Sequence, residues 1–249
     1  MAMKPRPNKA LTMEVNLDLW KPKTELGHKV KSGEITDIDN LLDSGVKILE
    51  PEIVDKLVSG LSLDLLEVGQ SKGKFGGGKA SIWKQTQKKT CEGSRINFME
   101  FAVVGNRDGY VGVGYGGGQE TVPAREKAIR NAKLNIIKIK RACGSWACDC
   151  KQPHSIPFKV VGKSGSVVFT IIPAPKGTNL KSEKKCARIL ALAGLKDVYS
   201  KVRGQSSTKL NLFKACFAAL KQLSTMKMKP EFIIEAGVVE GSLKKEKTE

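Results

Sequence analysis

No run of this sequence approaches the roughly 18 consecutive apolar residues that a membrane-spanning helix needs. Its first ten residues, MAMKPRPNKA, also lack the apolar centre of a secretory leader. The expectation is a soluble, intracellular chain. Acidic residues are scarce as well: 25 Asp and Glu stand against 43 Lys and Arg, a formal net charge of +18 with a pI near 9.7. Solubility asks for much less, so the excess points to a polyanion, either nucleic acid or an anionic membrane surface. The deficit is uneven. Residues 1–69 are net −3, whereas residues 70–142 and 143–249 are +10 and +11. The polyanion-facing part therefore begins near residue 70, and the acidic first quarter is expected to pack on protein or stay partly extended. A length of 249 residues leaves room for two small domains.

A nucleotide-hydrolase loop is almost present. In GKFGGGKAS, residues 73–81, Gly73, Gly78 and Lys79 follow the phosphate-loop pattern, but Ala80 stands where a magnesium-holding hydroxyl is required. The segment after Lys79 reads as a strand rather than the helix whose N-terminus would face the phosphates. No paired Asp follows on an apolar strand. A nucleotide hydrolase using Lys79 is therefore set aside, which leaves a solvated connector or a surface for a phosphate backbone. Lys72, Lys74, Lys79, Lys84, Lys88, Lys89 and Arg95 carry the same charge across a loop and a strand, and this favours nucleic acid contact. Lys74 and Lys79 are expected to lie near phosphate.

The periodicities predict an α+β fold. Thr36 is placed to cap a short helix over DIDNLLDSG, and Pro51 to open another through Ile53, Val54, Leu57 and Val58. SIWKQTQKKT reads as a strand with a wet face, CEGSR as a turn, and INFMEFAVVGNRDGYVGVGYGGG as two strands joined at Gly105–Gly109. Gly112, Gly114 and Gly116–Gly118 leave one strand face almost bare, so another backbone can approach it closely. A helix over TVPAREKAIRNAKL follows. Beyond it come a hairpin around Gly162–Gly165, the loop PAPKGTN, a helix through Cys186, Ile189, Leu190 and Ala193, a strand DVYSKV and a last helix through Phe213, Cys216 and Leu220. The end, GSLKKEKTE, reads as a disordered tail.

VVGNRDGYVGVGYG, CGSWACDC, PHSIPFKVVGKSGSV, IIPAPKGTNL, LALAGLKDVYSKVRG and TKLNLFKA, in that order over about residues 80–225, closely resemble the universal S-five family of small-subunit ribosomal proteins, in its archaeal branch. The resemblance implies an N-terminal extension with short helices (1–69) and a double-stranded-RNA-binding-like β-β-β-α domain (70–145). It further implies a C-terminal domain of a four-stranded sheet and two helices with a left-handed βαβ crossover (146–225), and a tail (226–249). It implies a cytoplasmic structural protein, not an enzyme, that binds ribosomal RNA near the head–body junction and the path by which messenger RNA enters. Its neighbours would be ribosomal proteins S-four and S-eight, and its roles assembly and translational accuracy, with no membrane or small-molecule substrate. The family's RNA-contacting loop falls on Lys88, Lys89, Gly93, Ser94 and Arg95, with Gly93-Ser94 where two glycines are usual. Asn106, Arg107, Lys163, Lys176 and Arg203 are further contact candidates. Arg95 and Arg107, placed at turns, could grip phosphate bidentately. Trp83 and Tyr110 could stack on bases or pack in a core. Two other readings stand beside this one. A small-molecule kinase on the shared C-terminal fold lacks a magnesium site, and a free-standing double-stranded-RNA binder would not sediment with the subunit.

Cys143, Cys148, Cys150 and His154 place four soft ligands within twelve residues. Their number and chemistry match a tetrahedral structural zinc site, although the single residue between Cys148 and Cys150 is tighter than the common spacing. Buried thiols beside a satisfied histidine are the alternative. A catalytic Cys150–His154 pair has no acid partner or oxyanion loop to support it. No cofactor is required, and one structural zinc ion is the candidate. Cys91, Cys186 and Cys216 are expected in the core.

Overall fold

The computed structural model describes residues 20–69 and 80–242, so Lys74, Lys79 and the stretch 73–79 lie outside the described residues. The chain opens with three short helices, α1 (Glu25–Ser32), α2 (Ile38–Asp43) and α3 (Pro51–Leu57). Thr24 caps α1 by accepting from Gly27 N–H at 3.1 Å, and Pro51 starts α3 where its missing N–H costs nothing. Asp37, not Thr36, occupies the cap position of α2. Val30, Ile38, Leu41, Ile53 and Val54 form one cluster that also takes in Tyr110 and Ile136. Residues 20–69 of the acidic quarter thus pack on their own chain.

Strands β1 (Ser62–Leu66), β2 (Lys84–Thr90), β3 (Gly93–Gly105) and β4 (Tyr110–Gly118) lead into helix α4 (Thr121–Leu134), followed by β5 (Ile136–Lys138). They build one antiparallel sheet in the order β1-β3-β4-β5, with β2 also on β3. The expected three strands and helix are β2, β3, β4 and α4. The additional β1 comes from the acidic segment and pairs with β3 from Ser62–Gly105 to Leu66–Phe101. Gly112, Gly114 and Gly116 let α4 lie against the sheet: a methyl group at any of them would overlap backbone atoms of Ala124, Ala128 or Ala132.

A short β6 (Lys140–Arg141) follows, then β7 (Val160–Ser164), β8 (Val167–Pro173), β9 (Leu180–Lys181), α5 (Lys184–Leu192), β10 (Val198–Arg203) and α6 (Lys209–Thr225). The second sheet runs β7-β8-β10-β9, and its one parallel pair, β9 and β10, is joined through α5. Where a tail was expected, α7 (Pro230–Ala236) and β11 (Val239–Glu240) form, and β11 pairs with β6. Phe101, Val103, Val111 and Val113 on the first sheet share a core with Phe169, Ile189, Phe213 and Leu220. The rings of Phe101 and Phe213 approach to 5.1 Å between centroids.

Candidate nucleic-acid interface and metal centre

Strands β2 and β3 project a two-stranded ribbon in which residues 87–97 are all exposed. Residues Cys91 and Glu92 make its turn, closed by Gly93 at φ 120° and by a 2.9 Å bond from the Thr90 hydroxyl to the Gly93 carbonyl. Lys88 lies directly opposite Arg95, and Lys89 opposite Ser94. Like charges facing each other across a strand pair destabilise it, so an external anion gains what the ribbon loses alone. Arg95 was expected at a turn but sits inside β3, where pairing with β2 fixes its direction. With the Gln119 amide oriented to accept, Arg95 Nε donates to it at 3.0 Å. Cys91, expected in the core, is exposed at the ribbon's turn, whereas Cys186 and Cys216 are buried.

The turn between β3 and β4 is pinned to the end of α5. Arg107 and Gly109 donate their backbone N–H groups to the carbonyls of Leu192 and Ala193 at 2.9 and 3.2 Å. Asn106 Oδ1 accepts from the N–H groups of Asp108 and Tyr110 at 2.8 and 3.1 Å, so its side-chain oxygen is engaged in holding the turn. The exposed Arg107, at φ 60°, points out beside it. Of the candidate stacking residues, Tyr110 is buried and donates its hydroxyl to Asp39 at 2.7 Å, which removes it from base contact. Trp83 is 38 % exposed at the foot of the ribbon. In the second sheet Lys163 and Arg203 are exposed on β7 and β10. Lys163 was expected in the hairpin loop but lies in β7, before the turn at Gly165 and Ser166. Lys176, exposed in the loop after β8, donates Nζ to Gln152 Oε1 at 3.0 Å. The candidate cations therefore occupy separate surfaces.

The four soft ligands do come together. A two-bond bridge between Ala142 and Ser155, each bond 3.0 Å, pinches the loop between them and sets Cys143 next to His154. The sulfurs of Cys143, Cys148 and Cys150 and a ring nitrogen of His154 all lie within 4.8 Å of one another, with Cys148 Sγ 4.0 Å from His154 Nε2. A tetrahedral zinc with 2.3 Å bonds to sulfur spaces its thiolates about 3.8 Å apart, so the set fits after a small contraction. His154 Nδ1 lies 3.0 Å from Asp197 Oδ2, although not aligned as a hydrogen bond, and both side chains are buried. This contact leaves Nε2 to face the sulfurs, as a ligating histidine requires. Asp197 is held in turn by the Asn179 N–H at 2.8 Å.

The thiols differ in environment. Burial pushes Cys143 up to about 11, whereas the backbone N–H of Lys176 and the neighbouring Cys150 thiol bring Cys148 down to about 6. Cys148 is thus the sulfur most readily held as thiolate. Asp197 and the Lys176 backbone have no sequence signature linking them to the cysteines, because they come from the loops after α5 and β8 respectively. On the same loop as the cysteines, Trp146 is fully exposed.

The sequence matches two family descriptions, "Ribosomal protein S5, N-terminal domain" over residues 82–140 and "Ribosomal protein S5, C-terminal domain" over residues 162–231. It is 47 % identical over 229 residues to the small ribosomal subunit protein uS5 of Nanoarchaeum equitans, covering 92 % of this chain and 98 % of that one. The corresponding protein of Methanocaldococcus jannaschii is 45 % identical over 92 % of this chain and 99 % of its own. That of Pyrobaculum aerophilum is 46 % identical over 83 % of this chain and 88 % of its own.

Proposed function

Because the chain belongs to the ribosomal protein S5 family, we propose that it is a structural constituent of the small ribosomal subunit whose β2–β3 ribbon grips ribosomal RNA. The observation that carries this reading is Lys88 set opposite Arg95 on an exposed ribbon, a pairing of like charges that an anion relieves. Arg107, exposed in the turn beyond the far end of β3 at the junction of the two units, is a separate candidate contact. Contact is electrostatic and shape-based, as suits folded RNA whose deep groove side chains cannot read. The chain's role is structural rather than enzymatic, with residues 70–145 and 146–225 as its two domains. The finer placement rests on the family resemblance: the head–body junction, the path of incoming messenger RNA, neighbours S-four and S-eight, and support of assembly and accuracy. Replacing Lys88 and Arg95 together by Ala is expected to weaken binding to a small-subunit RNA fragment and to lower the slope of log affinity against log salt by about 1.8, the value for two duplex phosphate contacts. An unchanged slope, with subunit assembly intact, removes the ribbon from the interface.

Zinc at Cys143, Cys148, Cys150 and His154 is the reading the donor set supports best. When bound, the ion would act as a structural cross-link with no reaction of its own. Cys143 and His154 hold the pinched ends of the loop, and Cys143 N–H also donates to the Ala236 carbonyl at 3.1 Å, which brings α7 to the same place. Purified, reduced protein is expected to carry one equivalent of zinc by elemental analysis, and Asp197→Asn to lower zinc affinity about 10–100-fold by releasing the histidine ring. A content well below one equivalent leaves the cluster as packed thiols.

A further inference from the structure

The outer face of the second sheet is covered by no element among the described residues. Val160, Phe169, Ile171 and Val198 of its inner face are buried with α5 and α6, and the alternate positions open outward. Register sets these open positions in rows. Lys163 and Arg203 flank Val168, Val161 and Lys201 flank Thr170, and Tyr199 lies between Ile172 and Lys181. With strands about 4.8 Å apart and alternate residues about 6.7 Å apart, the cations and the ring share a patch only a few residues across. Tyr199 is 41 % exposed and Val161 44 %. None of the residues of β7, β8, β9 and β10 is acidic, and no carboxylate pairs with Lys163, Lys181, Lys201 or Arg203 among the described residues.

We propose that this face is a second RNA platform, separate from the ribbon, that takes unpaired nucleotides: Tyr199 stacks on a base while Lys163, Lys201 and Arg203 meet phosphates. It rests on the ribosomal RNA reading above and adds a site of different selectivity. An open ring beside cations on a flat sheet suits single strands, because every unpaired base offers a π-face and a duplex hides its bases in the stack. An acidic protein would also satisfy the cations, but a nucleotide chain brings a base and a phosphate in every repeat, which matches one ring set among several cations. Nucleotides use both features. The charge is one-sided here: with no carboxylate on the four strands, the cations have no partner within the sheet.

The test uses the full chain and two probes, a twelve-residue oligouridine and a sixteen-base-pair RNA duplex. Tyr199→Ala is expected to weaken oligouridine binding about tenfold, and Tyr199→Phe to restore it, in line with the usual effect of removing a stacking ring. Lys163→Ala, Lys201→Ala and Arg203→Ala combined should lower the oligouridine salt slope by about 2. Lys88→Ala with Arg95→Ala should weaken the duplex alone. In assembled small subunits, a photoreactive benzoylphenylalanine at position 199 should form an RNA adduct. A protein adduct, or none, overturns the proposal, as does oligouridine binding indifferent to the folded Tyr199 and triple variants. If the wild type binds neither probe and does not enter the subunit, the ribosomal RNA reading itself fails. If it binds the duplex but these variants change nothing, only the platform fails.

Discussion

Glu100 presents a carboxylate with no exposed surface, and neither of its oxygens has a hydrogen-bond partner among the described residues. Among the described residues its ionic companion is Arg125, whose Nε lies 3.5 Å away on a side chain that is itself partly open to solvent. Burial raises the Glu100 carboxyl above its ordinary range, and Arg125 offsets this only in part. A carboxyl whose folded value exceeds its unfolded value destabilises the fold when ionised, and that cost disappears as pH falls through the folded value towards the unfolded one. Glu100→Gln removes the titration. The stability of the wild type relative to Glu100→Gln should therefore rise as pH falls from 7 to below the ordinary carboxyl value of 4.5, measured by urea unfolding at each pH. A difference independent of pH would show that Glu100 titrates alike in both states. Residues of this kind are hard to read in a sequence. The cysteines and His154 announce themselves by chemistry and spacing, but Glu100 and Asp197 become unusual only through what buries them.

Among the elements, β4 and α4 are the pair whose fit was most legible. The alternation in YVGVGYGGG pointed to a face without side chains, and α4 fills it, with Gly114 close to backbone atoms of Ala128, Asn131 and Ala132. Gly114→Ala would place a methyl group where that backbone already is, and helix backbone cannot turn aside as a flexible side chain can. The expected loss is about 3 kcal/mol, the upper part of the range for overpacking, seen as a lower thermal midpoint. A loss near zero would mean that α4 can lift off the sheet freely. Other elements were not legible for reasons of distance and length. SLDLL sits in an acidic segment, and its partner β3 lies some forty residues on, so nothing local marks β1 as part of the sheet. Two-residue strands such as β6 and β11 carry no periodicity at all. The turn at the ribbon was placed a little late, because Gly93, Ser94 and Arg95 have turn-like composition but pair with Thr90, Lys89 and Lys88.

At the scale of the whole molecule, the sequence suggests two α+β units in succession, and the structure joins them through one core. The signal for this was present in FAVVG, where Phe101 and Val103 face one way and Ala102 and Val104 the other. A strand apolar on both faces reads as covered on both. Ala102 and Val104 meet α4, and Phe101 and Val103 meet the α5–α6 layer. What the pattern could not supply was the identity of the second cover, which comes from residues about ninety positions later. Phe213 is the hinge of that contact: it is fully buried, shares a cluster with Phe169 of the second sheet, and packs at a tilt against Phe101 of the first. Two units sharing such a core should unfold together, because exposing either one strips the cover from the other. The amides of Val104 in β3 and Phe169 in β8 should therefore exchange hydrogen with the same opening free energy. Phe213→Ala should lower both by about 3–5 kcal/mol, the usual range for a buried Phe. If the variant lowers only Phe169, the two sheets open independently, and the shared core is a docking contact between separately stable domains.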